Sequence, residues 1–186
     1  MTTLHCSQKL LKRLRQPAKL PDPPPADNPL GPWCADIDFI DRQPFVVLMN
    51  AATGLILIVP GKAADLKQMH VKAANQLDWL LQRCGIEGPL AQAEVDALRM
   101  PFAFARNGNR SWVASMNQRK FEAWMQFAHC TSNTYEVAAQ LLETPFSRKD
   151  LPGGGRFGFH FAADLLRKHL LPSAKILPFA VPATRQ

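Results

Sequence analysis

Two short runs, Phe45 to Met49 and Leu55 to Val59, constrain this chain more than any other feature, because each is apolar at every position. A strand turns successive side chains to opposite faces, so such a run is apolar on both faces and must be covered above and below. The segment between them, Asn50-Ala51-Ala52-Thr53-Gly54, reads as a turn and is too short for a helical crossover, so the two runs pair antiparallel. Upstream, Ile37 and Phe39 alternate with Asp36 and Asp38, the pattern of a strand with one wet face, and Asp41-Arg42-Gln43-Pro44 turns it into the next. A three-strand meander over Trp33 to Val59 follows, and helices must supply the covering layers. The expected class is therefore α+β, with a central antiparallel sheet (this meander plus one or two further strands) packed by several helices.

The helices are legible as apolar periodicity. Leu66, Met69, Ala73, Leu77, Leu80 and Leu81 share a helical face that Gly85 ends, and a shorter helix over Leu90 to Arg99 turns Val95 and Leu98 inward. A helix from Arg110 or Ser111 to about Ala128 would bring Phe121, Trp124 and Phe127 near one another. Asn133 and Glu136 have capping-box spacing ahead of Val137, Ala138, Leu141 and Leu142, and Pro145 stops that helix; a last one runs around Ala162 to Leu171. Thr2 to Cys6 reads as a strand feeding a Ser7-capped helix with Leu10, Leu11 and Leu14 on one side, and Phe102 and Phe104 alternate with Ala103 and Ala105 in a further strand.

At 186 residues, 47% hydrophobic and 20% charged, the chain can bury a core without staples. Residues 1–171 are expected to form a single domain, with residues 16–32 as a proline-rich connector containing Pro17, Pro21, Pro23, Pro24 and Pro25. Residues 172–186, with Pro172, Pro178 and Pro182, read as a surface tail. Cys6, Cys34, Cys84 and Cys130 lie far apart and read as reduced, mostly buried thiols. No run is long enough to cross a membrane, and the N-terminus shows no cationic lead into an apolar stretch, so a cytoplasmic location is expected.

The charge is uneven. A formal net charge of +7 is concentrated first in Lys9, Lys12, Arg13, Arg15 and Lys19, with no acid in the first twenty residues. A second surplus comes from Arg148, Lys149, Arg156, Arg167, Lys168 and Lys175 against Asp150 and Asp164. A basic face of this kind suits a nucleic acid or another polyanion.

Motifs exclude more than they assign. There is no Gly-x-Ser-x-Gly elbow, and the adjacent pairs His5-Cys6 and His129-Cys130 do not by themselves form a thiolate–imidazole pair. Neither the histidines nor the cysteines have zinc spacing, and Asp36 and Asp38, which could share a cation, read more simply as a hydrated strand face. Gly153-Gly154-Gly155 lacks the lysine of a phosphate loop, and no dinucleotide fingerprint occurs. No metal or cofactor is expected.

The most distinctive polar segment runs from Arg106 to Gln118. It leaves a strand, turns at Asn107-Gly108 and starts a helix, which places Asn109, Arg110 and Ser111 where free helical N–H groups can help to hold an anion. Ser111 and Ser115 share a helix face, beside the Arg110 guanidinium. The simpler reading of the same residues is a helix cap with a paired arginine.

Leu4 to Leu11, Leu30-Gly31-Pro32-Trp33-Cys34-Ala35, Phe45 to Thr53, Asn109 to Asn117 and Leu142-Glu143-Thr144-Pro145 together resemble a bacterial family of uncharacterised domains. The resemblance spans residues 3 to 150 or so and implies an intact single domain, with some relatives associated with plasmid or mobile-element passenger proteins. It transfers no catalytic role. It directs attention to Asn109, Arg110, Ser111, Ser115 and Asn117, and secondarily to Trp33, Asn50 and Thr53. A threonine expected near Asn107-Gly108 is absent, which weakens a hydroxyl-dependent role there.

Three functions remain in order. The first is a small basic accessory protein that binds nucleic acid or another anionic partner in a mobile-element or defence context. The second is an enzyme acting on a small phosphorylated or carboxylated substrate through Arg110, Ser111 and Ser115. The third is a protein-interaction module using the glycine-rich loop and tail.

Overall fold

The computed structural model describes residues 1–17, 19–148, 151 and 158–171. The Gly153-Gly154-Gly155 segment, Phe157, and residues 172–186 lie outside the described residues.

The meander forms as its apolar pattern requires. Strands β2 (Trp33–Ile40), β3 (Gln43–Asn50) and β4 (Ile56–Pro60) pair antiparallel in sequence order. The first connection is tighter than expected, because Asp41 and Arg42 both take left-handed backbone (φ 45° and 64°) and leave Gln43 and Pro44 inside β3. Positive φ at both central residues matches the right-handed twist of the flanking strands. At the second turn Gly54 has φ 66°, and a Cβ there would stand 2.3 Å from the Phe146 ring, so glycine is required both by conformation and by packing.

Two further strands complete a five-stranded sheet of order β4-β3-β2-β1-β5. Here the sheet departs from the all-antiparallel expectation: β1 (Thr3–Cys6) runs parallel to β2, and β5 (Ala103–Arg106) parallel to β1. The intervening chain explains this, since helix α1 (Gln8–Arg13) and the connector separate β1 from β2 by enough residues for a crossover. The result is a mixed α+β fold with helices on both faces.

Each inner strand feeds two cores. Val46 and Leu48 of β3 and Leu57 of β4 join Leu4, Trp33, Ala35 and Ile37 on one face. Helices α1, α3 (Met69–Arg83) and α4 (Pro89–Arg99) cover that face with Leu10, Leu77, Leu80, Val95 and Leu98. The alternating residues Phe45, Val47, Met49, Ile56 and Ile58 face the other way, beneath Met116 and Ala123 of α5 (Arg110–His129). Helix α6 (Thr134–Glu143) contributes Ala138 and Leu142 to the first core and Val137 and Leu141 to the second, packing along β4. Burial of each large aliphatic side chain is worth about 1.5–3 kcal/mol, so cover on both faces is the main stabilising term.

Two helical expectations change. The segment over residues 63–83 is broken at Gln68 (φ −113°, ψ 19°) into α2 (Ala63–Lys67) and α3. Of the aromatic group on α5, Phe127 packs on Phe45 with ring centroids 5.2 Å apart, whereas Phe121 and Trp124 face outward. Among the described residues no helix is long and apolar enough to cross a membrane.

Candidate functional site

The junction between β5 and α5 folds as a closed cap. The Asn107 amide donates to the Cys6 carbonyl (3.0 Å), extending the β1–β5 ladder by one bond. Asn107 Oδ1 accepts from the Asn109 amide (3.2 Å), and Asn109 Oδ1 accepts from the amides of Ser111 (2.9 Å) and Trp112 (3.2 Å). Two of the first-turn amides that an anion would use, those of Ser111 and Trp112, are therefore engaged by Asn109. Arg110 is exposed and makes no ion pair with a described residue; Ser111 is exposed and Ser115 half-buried.

Trp33, Asn50 and Thr53 lie elsewhere. Asn50 is fully buried; its Nδ2 donates to the Leu30 carbonyl (3.0 Å), and its Oδ1 accepts from the amides of Ala52 and Thr53 and from the Thr53 hydroxyl. Trp33 Nε1 donates to Glu94 (2.9 Å), a fully buried carboxylate that also accepts from the Leu30 amide (2.8 Å) and Asn28 Nδ2. Burial raises the Glu94 pKa, against the pull of these donors. Strand β3 is three places from β5, or about 14 Å at the usual strand spacing, so this cluster and the α5 junction do not converge. Glu94 had a signal in the sequence: Ala91, Glu94, Val95 and Leu98 follow the helical repeat of a buried face.

The face expected to be wet on β2 is covered at Asp36 and stays partly exposed at Asp38. Asp36 is buried, and Lys120 of α5 sets its Nζ 2.6 Å from Asp36 Oδ2 and 3.5 Å from Asp38 Oδ2. The Ser7 hydroxyl donates to Asp36 Oδ1 while accepting from the Leu10 amide as the cap of α1. Ser7 and Asp36 border a crevice of about 190 Å³ beside the carboxyl ends of β1 and β5, lined also by Gln8, Arg106, Asn107 and Asn117. The chain leaves β1 toward β2 on one side and reaches β5 on the other, so the crevice occupies the topological switch point of the parallel part of the sheet.

One concave surface is cationic. A groove of about 630 Å³ lies between the end of α1, α2, the start of α3 and β5. Its floor is Leu14, Leu66, Met69, Phe102 and Phe104; its rim carries Arg13, Arg15, Lys67 and His70, and no described acidic residue lines it. Arg13 is positioned by a bond from its Nε to the Gly61 carbonyl (3.2 Å) and stands over the Phe39 ring. A second cavity, about 460 Å³, meets the first at Gln16 and adds Lys12, Lys19 and Arg106 against one acid, Asp22. Arg15, Lys67, Lys12, Lys19 and Arg106 are exposed and form no ion pair with a described residue.

A family model described as a domain of unknown function, DUF6933, matches residues 3–153. The chain belongs to that family. No curated protein matches it. The DUF6933 region carries all five strands of the main sheet, helices α1 to α6, both cationic cavities and the switch-point crevice. Strand β7 (Phe159–His160), which pairs with β6 (Phe146–Ser147), and helix α7 (Ala162–Leu170) lie beyond the matched residues.

Within the DUF6933 region the second basic surplus shrinks. Arg148 is buried and donates to the Ala51 carbonyl (2.6 Å), so it adds nothing to a basic surface. Cys6 and Cys34 are buried, Cys84 half-buried and Cys130 exposed, and all four are free thiols. Burial pushes the Cys6 thiol upward and raises Cys34 to about 12, which removes both as thiolate nucleophiles near neutrality. Among the described residues no group of three or more metal-ligating side chains is placed to hold an ion.

Proposed function

We propose that this DUF6933 protein binds nucleic acid along the joined cationic cavities beside β5. The observation that carries this reading is the alignment of Arg13, Arg15 and Lys67 in one cavity with Lys12, Lys19 and Arg106 in the next, almost without acids. The sequence alone showed cations crowded near the N-terminus; the fold adds Lys67 and Arg106, distant in sequence, to the same surface. Cations gathered in a concave surface concentrate a polyanion more strongly than the same charges scattered. A mobile-element or defence setting belongs to this same proposal, as the context in which a small basic accessory protein would act.

An enzyme built on Arg110, Ser111 and Ser115 has less support, because Asn109 already takes two of the helical donors that such a site would use, the amides of Ser111 and Trp112. Fluorescence anisotropy with labelled oligonucleotides tests the nucleic-acid reading. Binding is expected at about 50 mM salt and to fall steeply by about 200 mM, as released counterions require. Reversing two exposed charges, Lys12→Glu with Lys67→Glu, should weaken it at least tenfold. Absence of binding at low salt, equal binding by the double variant, or binding of polyglutamate in place of nucleic acid would overturn the reading.

A further inference from the structure

The ends of α1 and α3 share one geometry but differ at its left-handed position, Arg15 in one and Gly85 in the other. At the end of α3, the Gly85 amide donates to the Gln82 carbonyl (3.0 Å) and the Ile86 amide to the Leu81 carbonyl (2.9 Å), with Gly85 at φ 62°. At the end of α1, the Arg15 amide donates to Lys12 (3.1 Å) and the Gln16 amide to Leu11 (3.0 Å), with Arg15 at φ 55°. Both are Schellman closures, whose left-handed residue is usually glycine. An L side chain in that conformation costs about 1–2 kcal/mol. The chain keeps a guanidinium there against local strain, and that residue borders the larger cationic groove.

The groove also has the wrong floor for a duplex. Leu14, Leu66, Met69, Phe102 and Phe104 offer apolar and aromatic surface beneath the cationic rim. A duplex stacks its bases inside itself and would present phosphates, sugars and base edges, but no base face, to a cavity of about 630 Å³. A single strand carries both complements, phosphates for the rim and unstacked bases for the floor. We infer that the larger groove is a single-strand nucleic-acid site in which Arg15 holds a backbone phosphate while one or two bases cover the Phe102–Phe104 floor; this rests on the nucleic-acid reading above.

The variant Arg15→Gly separates binding from folding, because glycine suits the observed backbone. Wild type, Arg15→Gly and Phe102→Leu would be titrated against labelled oligothymidylate, oligouridylate and a mixed-sequence duplex of equal length, over a salt series, with thermal melts alongside. The single strands are expected to bind at least tenfold more tightly than the duplex. Arg15→Gly should lose about tenfold in single-strand affinity and about one unit of salt slope, while melting at or above the wild-type temperature. Phe102→Leu should weaken the single strands and leave the duplex unchanged; should it fail to fold, Arg15→Gly carries the test. Equal affinity for single strand and duplex, or wild-type single-strand binding by Arg15→Gly, overturns the single-strand site while the broader reading stands. Failure of every oligonucleotide to bind wild type overturns both.

Discussion

The cluster around Glu94 and the groove around Arg15 both set charge into apolar surroundings, in opposite ways. Glu94 is sealed: Trp33, Leu30 and Asn28 donate to it, no described cation pairs with it, and no solvent reaches it. Arg15 is exposed, unpaired among the described residues, and held at a backbone angle that favours another residue. The Glu94 cluster ties the end of the connector to β2 and α4, and both carboxylate oxygens accept from donors within it. The groove has a charged rim, of which Arg15 and Lys67 form no ion pair with a described residue, over an apolar floor where His70 meets the Phe102 ring edge to face. Position in the fold, more than residue type, separates a polar group that holds the chain together from one available to a partner.

Truncating the sealed carboxylate gives the largest expected effect. Glu94→Ala would leave the Leu30 amide, the Trp33 indole and the Asn28 amide without their acceptor, and should cost about 3 kcal/mol or more in a urea unfolding experiment. Single-strand affinity should be unchanged wherever the variant remains folded. The carboxylate should also leave a pH signature. Because burial raises the folded pKa of Glu94 above its unfolded value, its contribution to stability is fully present below the ordinary carboxylate pKa and is lost as pH rises through the raised one. Wild type should therefore gain stability relative to Glu94→Gln as pH falls from neutrality toward the ordinary carboxylate range. Parallel pH profiles for the two proteins would remove the sealed carboxylate from the comparison.

An intermediate effect is expected at the Asp36–Lys120 pair, which stands between the two extremes: mostly buried, yet bordering the switch-point crevice. Lys120→Met removes the cation and should destabilise the fold by about 2 kcal/mol, less than for a fully buried pair because Asp36 keeps some access to solvent. Adding Asp36→Asn should recover part of that loss, since the neutral amide no longer needs a cation. Additive losses in this cycle would show that Lys120 acts through packing alone. A change in oligonucleotide affinity at constant stability would instead make the crevice part of the binding surface.

Most of the scaffold was legible in the sequence because its rules are local. Apolarity on both faces forced the meander and its two covering layers, and Ser7, Asn109 and Asn133 each cap the helix that follows, accepting from Leu10, from Ser111 and Trp112, and from Tyr135. What escaped depends on residues distant in sequence. The parallel docking of β1 between β2 and β5 was hidden because short strands carry no sign of their partners. Asp36 and Asp38 read as a wet face because the alternation cannot show that Lys120, eighty-four residues beyond Asp36, will cover the first of them. The groove draws on residues 13–16, 63–70 and 101–104, so only its Arg13 and Arg15 belonged to a basic run visible beforehand. Trp33, Asn50 and Thr53 stood out as distinctive, and the fold places them in the sealed hydrogen-bonded region.

The smallest expected effect is at Arg110, and it is the sharpest discriminator between the two candidate surfaces. Its side chain is exposed on the first turn of α5, where Asn109 already takes the amides of Ser111 and Trp112. Arg110→Ala therefore removes no described ion pair and no cap, and its stability should stay within about 0.5 kcal/mol of wild type. If the groove beside β5 is the nucleic-acid site, single-strand affinity should also stay within about twofold, because a cation outside the contact path contributes only a screened, long-range attraction. A tenfold loss in Arg110→Ala, with Arg15→Gly at wild-type affinity, would move the site to the β5–α5 junction. Arg110 would then replace Arg15 as the exposed cation that contrasts with Glu94.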